Sequence, residues 1–158
     1  MKVFRLGKQK YISDLSGMGS YISGARWNNK GTYMLYTSQS RALALTELSV
    51  RLPLGRVPQD YHYLILEIPD DLILALDLSL LDHIDWKTSP PSPETQALGD
   101  RFIRESSHLA LKVPSVVVDG DFNYLLNPNF PDFDTLVIPM EKGPFPFDQR
   151  LFIRPGDR

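Results

Sequence analysis

Arg26, Tyr36 and Glu47 stand in apolar company: Gly24-Ala25-Arg26-Trp27-Asn28 and Leu35-Tyr36-Thr37-Ser38 run into Ala42-Leu43-Ala44-Leu45-Thr46-Glu47. Charged side chains are seldom fully buried unless paired, and perturbed ionisable groups gather at functional sites, so a glutamate inside an apolar helix needs a reason. A buried carboxylate must pair with an arginine, accept hydrogen bonds or face a polar pocket. The economical reading of the three residues together is a bound ligand. Two of them have a plainer reading, Arg26 as a surface residue next to Trp27 and Tyr36 as a core residue with a satisfied hydroxyl, whereas Glu47 is harder to dismiss.

The elements that must position them are short. Val3 to Leu6 and Met34 to Thr37 read as strands, with a Gly/Ser/Asn-rich loop between them. Ser38 or Ser40 caps a helix running to about Arg51, stopped by Pro53 and Gly55. Its apolar residues fall all round the helix, which predicts a core helix with Glu47 among neighbours that cannot solvate it. Tyr61 to Ile68 reads as a strand ended by Pro69, and Leu72 to Leu76 as another. Ser92 caps a second helix reaching Ser107, with Pro93 at its first position. Leu109 to Val118 and Phe122 to Leu126 flank Asp119-Gly120, a hairpin signal. Thr135 to Met140 and Phe152-Ile153 read as further strands. Strands mixed with two good helices and a hairpin predict an α+β fold, a compact mixed or antiparallel sheet with flanking helices.

Ser115 interrupts an apolar strand with a hydroxyl, and Asn123 stands beyond the turn. A two-residue Asp119-Gly120 loop pairs Val116 with Asn123 and puts Ser115 on the opposite face. A three-residue loop puts Ser115 and Asn123 on one face, where they share a site.

Composition narrows the function classes. With 158 residues, the chain suits one domain over 1–158, and 42% hydrophobic with 23% charged residues is ordinary for a globular protein. A net charge of −2 with no Lys/Arg cluster lacks the electrostatic footprint of a nucleic-acid binder. The chain has no cysteine, which removes thiol catalysis, disulfides and thiolate metal sites. His62, His83 and His108 lack metal-ligand spacing. Gly17-Met18-Gly19-Ser20-Tyr21-Ile22 misses the third glycine of a dinucleotide fingerprint, and neither a Gly-x-Ser-x-Gly elbow nor a phosphate-cradling P-loop is present. No apolar run approaches the ~20 residues that span a bilayer, so no membrane role and a cytoplasmic location are expected.

Taken in order, Phe4-Arg5, Gly24-x-Arg26-Trp27-Asn28-x-x-Gly31, Leu35-Tyr36-Thr37-Ser38, Ala42-Leu43-Ala44-x-Thr46-Glu47, Val113-Pro114-Ser115 and Asn123-Tyr124-Leu125-Leu126-Asn127-Pro128 form a signature over nearly the whole chain. In these residues the chain resembles the RES domain, the toxin half of bacterial RES/Xre toxin-antitoxin pairs. The resemblance implies a fold like that of ADP-ribosyltransferase-type toxins and an activity that consumes NAD⁺ as substrate, with no metal or separate cofactor. It implies Arg26, Tyr36 and Glu47 as the catalytic core, and Ser115, Asn123, Arg5 and Trp27 as substrate-binding residues. It also implies a cognate antitoxin with a helix-turn-helix DNA-binding domain that blocks the active-site cleft, so that DNA contact belongs to the partner.

These residue types suit that chemistry. Nicotinamide leaves NAD⁺ as a neutral molecule, and cleavage builds oxocarbenium character on the ribose, which a carboxylate such as Glu47 stabilises. Arg26 would hold the pyrophosphate through charge-assisted hydrogen bonds. Tyr36 would offer an aromatic face to nicotinamide or a hydroxyl to the ribose, and Ser115 a further hydrogen bond. Water as nucleophile gives ADP-ribose, phosphate gives ADP-ribose-1″-phosphate, and a protein side chain gives ADP-ribosylation. A reading from another class is a non-enzymatic binding module in which Arg26 and Glu47 form an internal ion pair.

Overall fold

A computed structural model describes residues 1–153 and 156 of the chain. Seven strands, β1 (Lys2–Lys8), β2 (Leu35–Ser38), β3 (Tyr61–Glu67), β4 (Ile73–Ala75), β5 (Ala110–Pro114), β6 (Phe122–Leu126) and β7 (Ile138–Pro144), join in one sheet ordered β4-β5-β6-β2-β1-β3-β7. Every pairing is antiparallel except that of β4 with β5, whose parallel alignment demands the crossover supplied by the helix α3 (Pro93–Glu105). The expected α+β architecture with a mixed, mostly antiparallel sheet is what the chain adopts.

Side-chain alternation along β5 and β6 gives the sheet two covered faces. Ala110, Tyr124 and Leu126 join Val3, Leu35 and Leu66 in one buried cluster. Leu111, Val113 and Leu125 point into the other, with Trp27, Met34 and Phe102 of α3. Helix α3 starts as its sequence predicts: Pro93 stands in its first turn and the Ser92 hydroxyl accepts a hydrogen bond from the Glu94 N–H at 3.1 Å.

Helix α2 (Arg41–Ser49) is capped by Ser40, whose hydroxyl accepts from the Leu43 N–H at 3.0 Å, while Ser38 ends β2 instead. The expectation of a core helix is corrected. Only Leu43 and Ala44 are buried, because α2 rests one side on β1 and β2 and leaves the remainder at a cleft or in solvent. Its end falls at Ser49, short of Arg51.

Three other expectations also change. The Gly/Ser/Asn-rich stretch between β1 and β2 contains a short helix, α1 (Met18–Ser23), entered through Gly17 at φ 73°. A Cβ on Gly17 would lie 2.7 Å from the Met34 nitrogen, so the turn requires glycine both conformationally and sterically. Thr135 belongs to a single helical turn, α4 (Phe133–Leu136), closed by its hydroxyl on the Asp132 carbonyl, and the strand begins only at Ile138. Phe152 and Ile153 follow a 3-10 turn rather than form a strand. Phe152 is buried edge-on against Phe147, an aromatic contact that replaces ladder pairing.

The β5–β6 hairpin follows neither anticipated register. Strand β5 stops at Pro114, which pairs with Phe122, and Val113 pairs with Asn123. Residues 115–121 form the connection because the Ser115 hydroxyl accepts from the N–H groups of Val117 and Val118 at 3.1 and 3.0 Å. That local turn competes with the ladder and wins.

Candidate active site

Glu47, Arg26 and Tyr36 line one cleft of about 280 Å³, together with Arg5, Trp27, Ser38, Arg51 and Asn123. Glu47 reaches it from α2, Tyr36 and Ser38 from one face of β2, and Asn123 from the neighbouring β6. Ser115 comes from the turn after β5.

The Glu47 carboxylate is held by one oxygen. Its Oε1 accepts from the Ser115 hydroxyl at 2.7 Å and from the Asn123 side-chain amide at 2.6 Å. Asn123 is oriented in turn by Ser38, whose hydroxyl donates to Asn123 Oδ1 at 2.7 Å. Ser115, 2% exposed, uses its one proton on Glu47 and accepts from two backbone N–H groups, so its polar capacity is full. Among the described residues nothing donates to Oε2 of Glu47. The chain thus builds a carboxylate with one pinned oxygen and one available to a ligand.

Arg26 is anchored by backbone carbonyls of the segment before α3. Its Nη1 donates to the carbonyls of Trp86 and Thr88 at 2.6 and 2.9 Å, and its own backbone is clamped by α3. The Thr95 hydroxyl donates to the Arg26 carbonyl at 2.8 Å, and the Gln96 amide to that of Ala25 at 3.0 Å. Gly99 lets helix and loop touch, since a Cβ there would fall 1.6 Å from the Trp27 carbonyl oxygen. Burial lowers the Arg26 pKa, with Glu47 opposing and Arg51 adding to that shift. Arg26 and Glu47 each bond elsewhere and form no ion pair, which removes the structural basis offered for the binding-module reading.

Tyr36 turns its hydroxyl inward. It accepts from the Trp27 N–H at 3.1 Å and donates to Asn28 Oδ1 at 2.8 Å, while the fully buried Asn28 ties Ser20 and Thr32 through its amide. Burial raises the Tyr36 pKa above the ordinary tyrosine value, so the phenol stays protonated. The hydroxyl braces the arginine loop, and the ring remains to line the cleft.

Arg5 sends Nη1 to the carbonyls of Ile12 and Asp14 at 2.8 and 2.7 Å, fixing the loop at the cleft's edge, and burial lowers its pKa. Trp27 is 3% exposed and packs in the second core cluster near Trp86, ring centroids 6.4 Å apart. Among the described residues no group of three or more His, Cys, Asp or Glu side chains is placed to hold a metal.

Four contributors, Ser38, Arg51 and the carbonyls of Trp86 and Thr88, carry no assigned site role in the sequence. Ser38 shares the strand face of Tyr36, two residues on, a period-2 signal present in the quoted motif. Arg51 follows Glu47 by four residues, the spacing of a helical ion pair, yet lines the cleft instead. The Trp86 and Thr88 carbonyls lie between β4 and α3, where no local pattern marks them.

The chain is thus an α+β protein whose mostly antiparallel sheet carries one cleft lined by Arg26, Tyr36 and Glu47. The chain belongs to the RES domain family, whose model matches residues 2–148. A toxin named Res from Photorhabdus laumondii subsp. laumondii is 33% identical over 152 residues, covering 96% of this chain and 97% of the relative. A protein of Sphingobium sp. named Prs ADP-ribosylating toxin is 33% identical, covering 75% of each chain. The fold matches a chain in the crystal structure of the M. tuberculosis MbcT-MbcA toxin-antitoxin complex, with TM-score 0.64 and 15% identity over 96% of this chain and 86% of that one. No helix among the described residues is long and apolar enough to cross a membrane.

Proposed function

We propose that this RES-family protein cleaves the nicotinamide–ribose bond of NAD⁺ in the cytoplasm, depleting the dinucleotide until an antitoxin covers the cleft. The observation that carries the reading is the half-engaged Glu47 carboxylate in one cleft with three arginines, Arg5, Arg26 and Arg51. NAD⁺ has the matching pattern, a cationic nicotinamide riboside joined to an anionic pyrophosphate.

In the reaction the bond between ribose C1 and the nicotinamide nitrogen breaks, and its electron pair returns to the pyridine ring. The sugar becomes cationic, and Glu47 stabilises that charge through Oε2 while Ser115 and Asn123 keep the carboxylate from turning away. Because the pinned oxygen needs no reorganisation, the stabilisation is preorganised. Arg26 holds phosphate oxygens with the nitrogens not engaged by Trp86 and Thr88. Tyr36 supplies apolar surface beside nicotinamide, Trp27 backs the cleft from the core and offers its N–H to the Tyr36 hydroxyl, and Arg5 supports the rim. Water attacking C1 completes hydrolysis to ADP-ribose with release of a proton, and phosphate in its place gives ADP-ribose-1″-phosphate.

A second reading, protein ADP-ribosylation with the same cleft, is favoured by the name of the Sphingobium relative. Purified, antitoxin-free protein incubated with labelled NAD⁺ separates them. Nicotinamide release without labelled protein supports hydrolysis or phosphorolysis, which omission of phosphate then distinguishes, and label on a discrete protein supports transfer. Absence of nicotinamide release, or equal release by Glu47→Ala, overturns the proposal. The solved neighbour's toxin-antitoxin complex supports an antitoxin partner, and in this proposal that partner masks the cleft and carries any DNA contact on a helix-turn-helix domain. Co-purification with the product of an adjacent small gene tests that pairing.

A further inference from the structure

We infer that Arg51 is a phosphate-binding residue at the mouth of the cleft, and that it makes the protein selective for a dinucleotide over the unphosphorylated nicotinamide riboside. The inference rests on the NAD⁺-cleaving reading above and assigns the substrate's phosphates a second cationic partner.

The placement is geometric. Arg51 follows Glu47 by four residues, just past the end of α2. Its N–H still donates to the Leu48 carbonyl at 3.0 Å and so continues the helix by a tightened turn, leaving the two residues about one turn, roughly 6 Å, apart along the axis. That is comparable to the reach of a ribose from its anomeric carbon to its 5′ phosphate. With Glu47 at the sugar, Arg51 falls where the phosphate emerges. The cleft's volume of about 280 Å³ lies at the small end of ligand pockets, so it accommodates the reacting end of a dinucleotide and leaves the remainder at the mouth.

The charge arrangement points the same way. Three arginines line the cleft, but Arg5 and Arg26 each use Nη1 on backbone carbonyls. Arg51, exposed at the rim, has no carboxylate partner among the described residues. Glu47, its natural i+4 partner, is occupied at Oε1 by Ser115 and Asn123 and forms no ion pair with it. Arg51 and Arg26 line the same cleft, and Arg51 adds a lesser lowering to the Arg26 pKa beside that of burial. Glu47 offsets part of that lowering at Arg26, but its carboxylate makes an ion pair with neither arginine, so two guanidiniums remain in one cleft to take a pyrophosphate, whose oxygens their forks match.

The test compares substrates rather than absolute rates. Wild type, Arg51→Ala and Arg51→Lys are assayed for nicotinamide release from NAD⁺ and from nicotinamide riboside. Wild type is expected to favour NAD⁺ in kcat/KM. Arg51→Ala should cut the NAD⁺-to-riboside ratio about tenfold or more, mainly through a higher KM for NAD⁺, the scale of one lost charge-assisted hydrogen bond. Arg51→Lys should keep part of the ratio and its salt sensitivity. A wild-type protein that cleaves NAD⁺ while Arg51→Ala keeps the wild-type ratio overturns the role of Arg51. An equal loss on both substrates overturns it too, since that marks a structural effect. A wild-type protein that cleaves neither overturns the underlying NAD⁺ reading instead.

Discussion

Glu47→Gln separates the charge of the site from its shape. The two hydrogen bonds that fix Glu47 are donated to Oε1, by the Ser115 hydroxyl at 2.7 Å and the Asn123 amide at 2.6 Å. A glutamine keeps a carbonyl oxygen there, so both donors retain an acceptor and the side chain keeps its place. What disappears is the negative charge, while the free oxygen becomes an amide. Hydrogen bonds to a neutral acceptor are weaker than to a carboxylate, so the folded state should lose about 1 kcal/mol, roughly 2–4 °C in Tm at this chain length. The chemistry should lose far more. Two unit charges ~4 Å apart at an effective dielectric of ~20 interact by about 4 kcal/mol, and each ~1.4 kcal/mol of barrier is tenfold in rate. Nicotinamide release by Glu47→Gln, followed by chromatography under saturating NAD⁺, should therefore fall about a thousandfold with the melting curve nearly intact. A rate within tenfold of wild type would refute electrostatic stabilisation by this carboxylate.

Ser115→Ala should be costlier for the fold than its size suggests, about 2 kcal/mol in urea unfolding, because one hydroxyl serves Glu47 and two backbone N–H groups. An unfolding midpoint unchanged from wild type would remove that turn from the argument. Gly99→Ala should cost at least about 3 kcal/mol, since its Cβ would meet the Trp27 carbonyl oxygen at 1.6 Å, whereas Gly19→Ala, with open space, should not destabilise. Equal stability of the two variants would show that α3 does not press on the arginine loop. Stability should also decline above about pH 10: the unfolded chain then releases the Tyr36 proton while the folded chain, with its raised pKa, retains it. Stability curves of wild type and Tyr36→Phe compared from pH 8 to 11 should diverge in that alkaline range, and parallel curves would contradict the buried, protonated phenol.

Much of the frame was legible in the chain. The helix from Pro93 was marked by its cap and its proline, and β3 by a dense apolar run, because such signals act within a few residues. Errors fell where a local pattern was outvoted. Asp119-Gly120 promised a tight hairpin, yet Ser115 captured two nearby N–H groups and opened a longer turn. Thr135 closed a helical turn in place of a strand, and α2 was apolar all round yet settled half in the open.

The sequence by itself determined which residue types were out of place: a glutamate on an apolar helix, an arginine after a glycine loop, a serine in an apolar strand. Those are statements about solvation, and solvation cost is a property of each residue. Only the tertiary structure decided how the costs were met. Glu47 is balanced by Ser115 and Asn123, far along the chain, rather than by Arg26, and Arg26 by the carbonyls of Trp86 and Thr88. Such partners come together through strand order and helix packing. No local spacing encodes them, so the division between a pinned and an available carboxylate oxygen exists only in the folded chain.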